Sequence, residues 1–244
     1  MTIGLIGYGR FGRFAAKHLA SHDTVVVHDP AIRRISSTKK RIIRGSLSEA
    51  ASQQLVILAL PVSEMRAVLV RIRKLVRPGS LVVDVCAVKE QPSHWMKEIL
   101  PRSVRILGTH PLFGPDSASK TIRGHHIAVC PVRMNRLELD RIRRTLRQAG
   151  LVPHVMTVQR HDRMMAETIL LTQFVGRVVS RASLGKWPVL TRNYRTLVDL
   201  VDVTRHDTRQ LFVDMVRFNR HGGAVVRSLG RAVQEELASL AGED

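Results

Sequence analysis

Apolar positions along this chain follow two different rhythms. Short unbroken runs recur in the first two thirds: "TIGLIG" (2–7), "TVVVHDP" (24–30), "QLVILALP" (54–61), "SLVVDVCAV" (80–88), "VRILGTH" (104–110), "HHIAVCP" (125–131) and "LVPHVMTV" (151–158). Their length and β-branched content predict buried strands, the second stopped by Pro30. Stretches at helical spacing lie between them. Residues 8–22 place Phe11, Ala15 and Leu19 on one side, 64–76 close on Arg-Pro-Gly, and 135–149 end at Gly150. Strands alternating with helices predict an α/β fold with a parallel, doubly wound sheet. The rhythm changes near residue 160. Residues 162–182 predict one long apolar helix capped by Asp162, then a break at 184–190 and helices over 193–203, 207–218 and 224–240. The expected organisation is a Rossmann-like domain over 1–158 followed by an all-helical domain over 159–244.

Composition narrows the class. The 244 residues are 44% hydrophobic, enough for a sizeable core. Cys86 and Cys130 show neither disulfide nor metal spacing, so a reduced protein without a metal is expected. No stretch approaches the roughly 20 apolar residues of a membrane helix, and the first residues do not read as a signal peptide, so a cytoplasmic protein is expected. Charge is the unusual feature, with 39 Lys+Arg against 20 Asp+Glu and a net +19. Thirty-one of those cations are Arg, spread through every segment. Around the densest run, 141–148, its apolar partners Leu139, Ile142 and Leu146 sit at helical spacing, which makes the arginines the solvated face of a helix. Aromatic residues are 4%, too few for base-stacking platforms. The charge therefore reads as solvated surface with a bias toward small anionic substrates, and not as a nucleic-acid face.

The first loop carries chemistry. "GYGRFG" places Gly7, Gly9 and Gly12 in GxGxxG spacing, after a strand and at the opening of a helix, the context that motif requires. Gly7 permits the tight turn, Gly9 lets backbone approach a pyrophosphate, and Gly12 lets helix and strand pack closely. Arg10 and Phe11 lie inside the loop and belong to the same expected cofactor site. Asp29 ends the second strand 17 residues after Gly12, where an acid accepts hydrogen bonds from the adenosine ribose. Its carboxylate would repel a 2′-phosphate, which favours NAD. Arg33 and Arg34 follow closely and could bind that phosphate, which keeps NADP as the alternative.

A second candidate is His110 in "GTHPLFGPDS" (108–117), a stiff segment poor in helix formers. In a doubly wound sheet, ligands bind beyond the carboxyl ends of the strands. His110, the "DVCAVK" segment with Ala87, and Leu60–Pro61 all follow strand-like runs, so all three should line one crevice. A neutral imidazole there could take a hydroxyl proton while hydride leaves the same carbon.

The segments "GLIGYGRFG", "DVCAVKE", "GTHPLFGPDS", "HDRMMAETILLTQFVGR" and "LVDLVDVTRHDTRQLFVDMVRFNR" follow one another in order. Together they resemble the prephenate/arogenate dehydrogenase family, and the Gly-Thr-His-Pro-x-Phe-Gly-Pro segment is the most specific of them. The resemblance implies a dinucleotide-binding domain followed by a helical, dimerising domain. It implies oxidation of the ring hydroxyl of prephenate or arogenate with loss of the ring carboxylate as CO2, in tyrosine biosynthesis. It makes His110 the base toward that hydroxyl. Two positions depart from the family pattern. Ala87 stands where the family usually has a serine near the substrate hydroxyl and nicotinamide. Gln173 stands where it usually has a second active-site histidine, and an amide can donate a hydrogen bond but carries no charge. The family's carboxylate-binding arginine has candidates by region only: Arg205, Arg209 and Arg217.

Other residues read more plainly. His161 is taken as structural, beside the cap Asp162. His125 and His126 form a pair without further ligands. Met164 and Met165 are taken as helix or dimer core. Lys89 is divided evenly between solvated surface and a functional role. Two further readings stay open: a dehydrogenase of the same fold with another small anionic substrate, and a non-catalytic nucleotide- or nucleic-acid-binding protein.

Overall fold

The computed structural model describes residues 1–35, 40–182, 185 and 187–241. It divides into two compact units, Met1–His161 and Asp162–Asp244. The division falls at 161/162, three residues beyond the expected 158/159, inside a helix.

The first unit is an α/β domain. Its strands are β1 (Thr2–Ile6), β2 (Thr24–His28), β3 (Ile42–Arg44), β4 (Leu55–Leu58), β5 (Leu81–Asp84), β6 (Arg105–Pro111), β7 (His126–Arg133) and β8 (Val152–Val155). They form one sheet in the order β3-β2-β1-β4-β5-β6-β7-β8. The order reverses between β1 and β4, which opens a crevice at their carboxyl ends. Pairing is parallel from β3 through β6. It is not parallel throughout: β7 runs antiparallel to β6. The physical reason is the connection, because residues 112–125 contain no helix that could carry the chain back across the sheet.

Helices α1 (Arg10–Leu19), α2 (Leu47–Ala51), α3 (Val62–Ile72), α4 (Glu90–Ile99) and α5 (Arg136–Gln148) connect the strands. The buried face of α1 centres on Gly12 and Ala16, one position from the expected Phe11 and Ala15. Small residues there let the helix settle close to β1. On α5, Leu139, Ile142 and Leu146 pack against Val83, Leu107, Ile127, Val129 and Leu151, and no residue of that helix is fully buried. Three elements went unread in the sequence. β3 has too few residues to show a period. α2 is announced by Ser46, which forms a capping box with Glu49. α4 hides behind Pro92, which sits in its first turn, where no N–H is needed.

The second unit is helical. The expected single helix over 162–182 is instead α6 (Val158–Met165), a π-helical turn (Ala166–Leu170) and α7 (Leu171–Arg181). Asp162 is not its cap. The helix begins four residues earlier, where the Thr157 hydroxyl accepts from the Arg160 N–H at 3.2 Å, and Asp162 is fully buried within it. α8 (Arg192–His206), α9 (Arg209–Phe218) and α10 (Gly222–Ala241) follow. The expected break at 184–190 includes Leu184 and Lys186, which lie outside the described residues. Among the described residues no helix is long and apolar enough to cross a membrane.

Candidate active site

Register places several segments at one edge of the sheet. Ile6 pairs with Leu58, Leu58 with Asp84, and Asp84 with Gly108. Gly7, Leu60, Ala87 and His110 all follow this row, past the carboxyl ends of β1, β4, β5 and within the last turn of β6. The expected crevice residues therefore emerge from one side.

The glycine loop is built for a close approach. Gly7 has φ +97°, a backbone region L side chains rarely adopt, and a Cβ there would lie 2.3 Å from the Ala59 carbonyl oxygen. A Cβ on Gly12 would lie 2.3 Å from the Gly7 carbonyl oxygen. A Cβ on Gly9 would meet nothing within 4 Å. Gly7 and Gly12 thus serve packing, and Gly9 faces open space. Gly9 is also the N-cap of α1 and supplies no capping side chain. An uncapped helix start beside open space fits a pyrophosphate. Asp29 Oδ2 accepts the Tyr8 N–H at 2.7 Å, and Oδ1 accepts the Ala31 N–H at 2.9 Å. This carboxylate organises the loop, and each oxygen keeps a second lone pair for a ribose hydroxyl. Arg10 forms a two-pronged ion pair with Asp116 at 2.9 and 2.7 Å, tying the loop to the segment that follows His110. Phe11 packs on Phe14 at 5.9 Å between ring centroids, and Phe14 meets Phe113 edge-on at 6.1 Å.

Beneath the crevice lies a buried polar network. Lys89 and Asp84 are fully buried and paired. Lys89 Nζ also donates to the Thr109 carbonyl at 2.7 Å, and the Thr109 hydroxyl donates to the Asp84 carbonyl at 2.8 Å. The Cys86 N–H donates to Asp84 Oδ1 at 3.0 Å, and its thiol reaches the Leu60 carbonyl at 3.3 Å. The network ties the ends of β4, β5 and β6 together. Gly108 makes room for it, since a Cβ there would come within 3.2 Å of Lys89 Cδ. Lys89 is therefore no surface residue. A carboxylate inside the apolar run "LVVDV" was the available signal, because a buried acid needs a cation nearby. Burial pushes the Asp84 carboxyl up, and Lys89 offsets part of that rise.

His110 is buried, and its Nδ1 lies 3.0 Å from His161 Nε2. Burial first, then His161 and Lys89, hold His110 well below the ordinary imidazole range. Burial and Lys89 hold His161 down at about 3. Both rings are neutral at pH 7. His161 is fully buried against the candidate base, and its helix is not capped by Asp162 as expected. Its place follows from the helix start at Thr157, which the expected cap at Asp162 concealed.

Among the other strand-end residues, Leu60 and Ala87 are half-buried and Pro61 is the exposed N-cap of α3. In the helical unit, Gln173 is buried and its amide donates to the Asp207 carboxylate. Arg177 donates to the Asp207 and Thr208 carbonyls at 3.1 and 3.2 Å and lies over the Phe212 ring. Arg205 pairs with Asp202 at 3.6 Å, Arg217 lies over Phe218, and Arg209 opens α9 on the surface. On the far edge of the sheet, His126 and His154 stack at 2.8 Å between ring nitrogens.

Comparison with known proteins agrees with the fold. The family model "Prephenate dehydrogenase, nucleotide-binding domain" matches residues 42–154, beginning after the glycine loop. A second, "TYRAAT1-like, C-terminal domain", matches residues 178–243. Arogenate dehydrogenase 2, chloroplastic, of Arabidopsis thaliana is 26% identical over 266 residues, covering 99% of this chain and 70% of its own length. Arogenate dehydrogenase 1, chloroplastic, of the same plant is 27% identical over 229 residues, covering 90% of this chain and only 36% of its own length. Among solved structures, prephenate dehydrogenase from A. aeolicus, in complex with hydroxyphenyl propionate and NAD+, shares the fold with a TM-score of 0.76. It is 17% identical, and the match covers 100% of this chain and 92% of that one. Over nearly its whole length the chain is similar to arogenate dehydrogenases, its residues 42–154 match the nucleotide-binding domain of prephenate dehydrogenase, and it shares the fold of a solved prephenate dehydrogenase.

Proposed function

We propose that this protein oxidises the ring hydroxyl of prephenate or arogenate with NAD, releasing the ring carboxylate as CO2 and leaving an aromatic product. The observation that carries the reading is His110, a neutral, buried imidazole at the same strand edge as the glycine loop. His110 accepts the hydroxyl proton, and NAD, when bound, supplies the hydride acceptor. The open space over Gly9 takes the pyrophosphate, and Asp29 takes the adenosine ribose and disfavours a 2′-phosphate. Arg10, Phe11, Leu60, Pro61 and Ala87 line the cofactor side, and the family resemblance assigns Gln173 a substrate contact. Arg33 and Arg34 make NADP the second cofactor to try.

The test is to follow reduced-nicotinamide absorbance with each substrate and each cofactor. His110→Asn is expected to keep cofactor affinity and to lose turnover by about 10²–10⁴-fold. Because the folded His110 is held below the ordinary value of about 6.5, the base form persists under mild acid. kcat/KM should stay level as pH falls through 6.5 and drop only lower, once the ring itself is protonated. An unchanged rate in His110→Asn with a family substrate overturns the mechanism and leaves the fold intact. Ala87 and Gln173 favour one further reading, a different small anionic substrate on the same fold. Ala87→Ser separates the two: it raises turnover of a family substrate and leaves that of a foreign one level or lower.

A further inference from the structure

We propose that His161 is the positioning residue of His110: its Nε2 accepts a hydrogen bond from His110 Nδ1–H, which leaves the His110 Nε2 lone pair for the substrate hydroxyl. The inference rests on the reading of His110 as the base.

A neutral imidazole has one donor nitrogen and one acceptor nitrogen. Two neutral rings joined through Nδ1 and Nε2 at 3.0 Å share one proton, in one of two arrangements. If His161 Nε2 donates, His110 carries its own proton on Nε2 and cannot accept another there. If His110 Nδ1 donates, His110 Nε2 is a free base. Only the second arrangement does the chemistry, and a free imidazole in water leans toward the wrong tautomer.

The surroundings support this selection. His161 is fully buried in the first turn of α6, where its backbone N–H donates to the Thr157 carbonyl at 3.0 Å and the packed surroundings confine the ring. The rings meet edge to face, at 67° and 5.1 Å between centroids. Charged Lys89 disfavours a cation on either ring, which keeps a single proton between them in the resting state. Ala87, at the neighbouring strand end, has no polar side-chain atom to orient the base. During the reaction the proton leaves the substrate hydroxyl and lands on His110 Nε2. The Nδ1–H then belongs to a cation, and its bond to a neutral acceptor strengthens. Lys89 opposes that cation and favours its release of the proton to solvent.

Nitrogen-edited NMR of the imidazoles in the full chain reads the tautomer without any turnover. His110 should be protonated on Nδ1 in the wild type and shift toward Nε2 protonation in His161→Leu. Kinetics give the second readout. His161→Leu should lose kcat by about 10–100-fold with the KM for NAD unchanged. His161→Gln, whose amide oxygen can accept the same bond, should recover most of that loss. A wild-type His110 protonated on Nε2 overturns the proposal, as does equal loss of kcat in the Leu and Gln variants while both fold and bind NAD. If the wild type turns over neither family substrate, the base reading fails, and the tautomer shift still decides the His110–His161 contact.

Discussion

Lys89 shows how much one side chain can organise. Its ammonium neutralises the buried Asp84, ties β6 through the Thr109 carbonyl, and biases both imidazoles toward neutrality. Lys89→Met removes the cation and strands the acid. Breaking a buried pair from one side costs about 3–5 kcal/mol, because the remaining charge has lost its compensation. The pH dependence has a definite sign. Asp84 is raised in the fold by burial, so the variant's acid stays protonated there while the unfolded chain ionises above about 3.9. The unfolded state then binds fewer protons, and stability falls as pH rises. Denaturant titrations of Lys89→Met should show the smallest loss near pH 4 and a growing one toward neutrality. A loss that shrinks as pH rises contradicts this account of Asp84.

At the scale of elements, the glycine loop separates two demands that one motif combines. Gly12 is pressed against the Gly7 carbonyl, and Gly9 faces open space. Gly12→Ala must push α1 away from β1 and should destabilise the first unit by about 1–3 kcal/mol, as overpacking does. Gly9→Val should leave the melting temperature close to wild type and abolish NAD binding, since its side chain fills the pyrophosphate's place. Calorimetry with and without NAD distinguishes them, and a Gly9→Val variant that binds NAD at wild-type affinity overturns the assignment of the crevice. The loop was legible in sequence because its signal is local, three glycines at fixed spacing between a strand and a helix. α6 was not. Its start is marked by Thr157, a weak cap beside a more conspicuous Asp162, and the π turn at Ala166–Leu170 leaves no periodic trace in so apolar a stretch.

For the whole molecule, the helical unit leaves apolar surface exposed. Val233, Leu237 and Leu240 on α10 lie at helical spacing and are 47%, 57% and 59% exposed. We propose a homodimer that buries this stripe. Light scattering at micromolar concentration should give twice the chain mass of 27.4 kDa, and Leu237→Glu should shift it toward monomer. A monomeric wild type contradicts the proposal. The net charge of +19 does not argue against self-association through an apolar stripe, but it should make the dimer salt-sensitive, stronger as ionic strength screens the repulsion.

Sequence alone was enough for the α/β class, the glycine loop, the strand ends and the candidacy of His110, because each is written in neighbouring residues whose spacing maps directly onto one strand, turn or helix. Tertiary structure decided what depends on approach between distant segments. The sequence separation of 51 between His110 and His161 closes to a 3.0 Å contact that no local pattern encodes. Lys89 became a buried cation because β5, β6 and Gly108 enclose it, which the sequence reading, evenly divided between solvated surface and a functional role, could not settle. The reversal of β7 was settled by a connection too irregular to read. Periodicity reports which face of an element is apolar, whereas the protonation of a buried group depends on the charges that folding brings beside it.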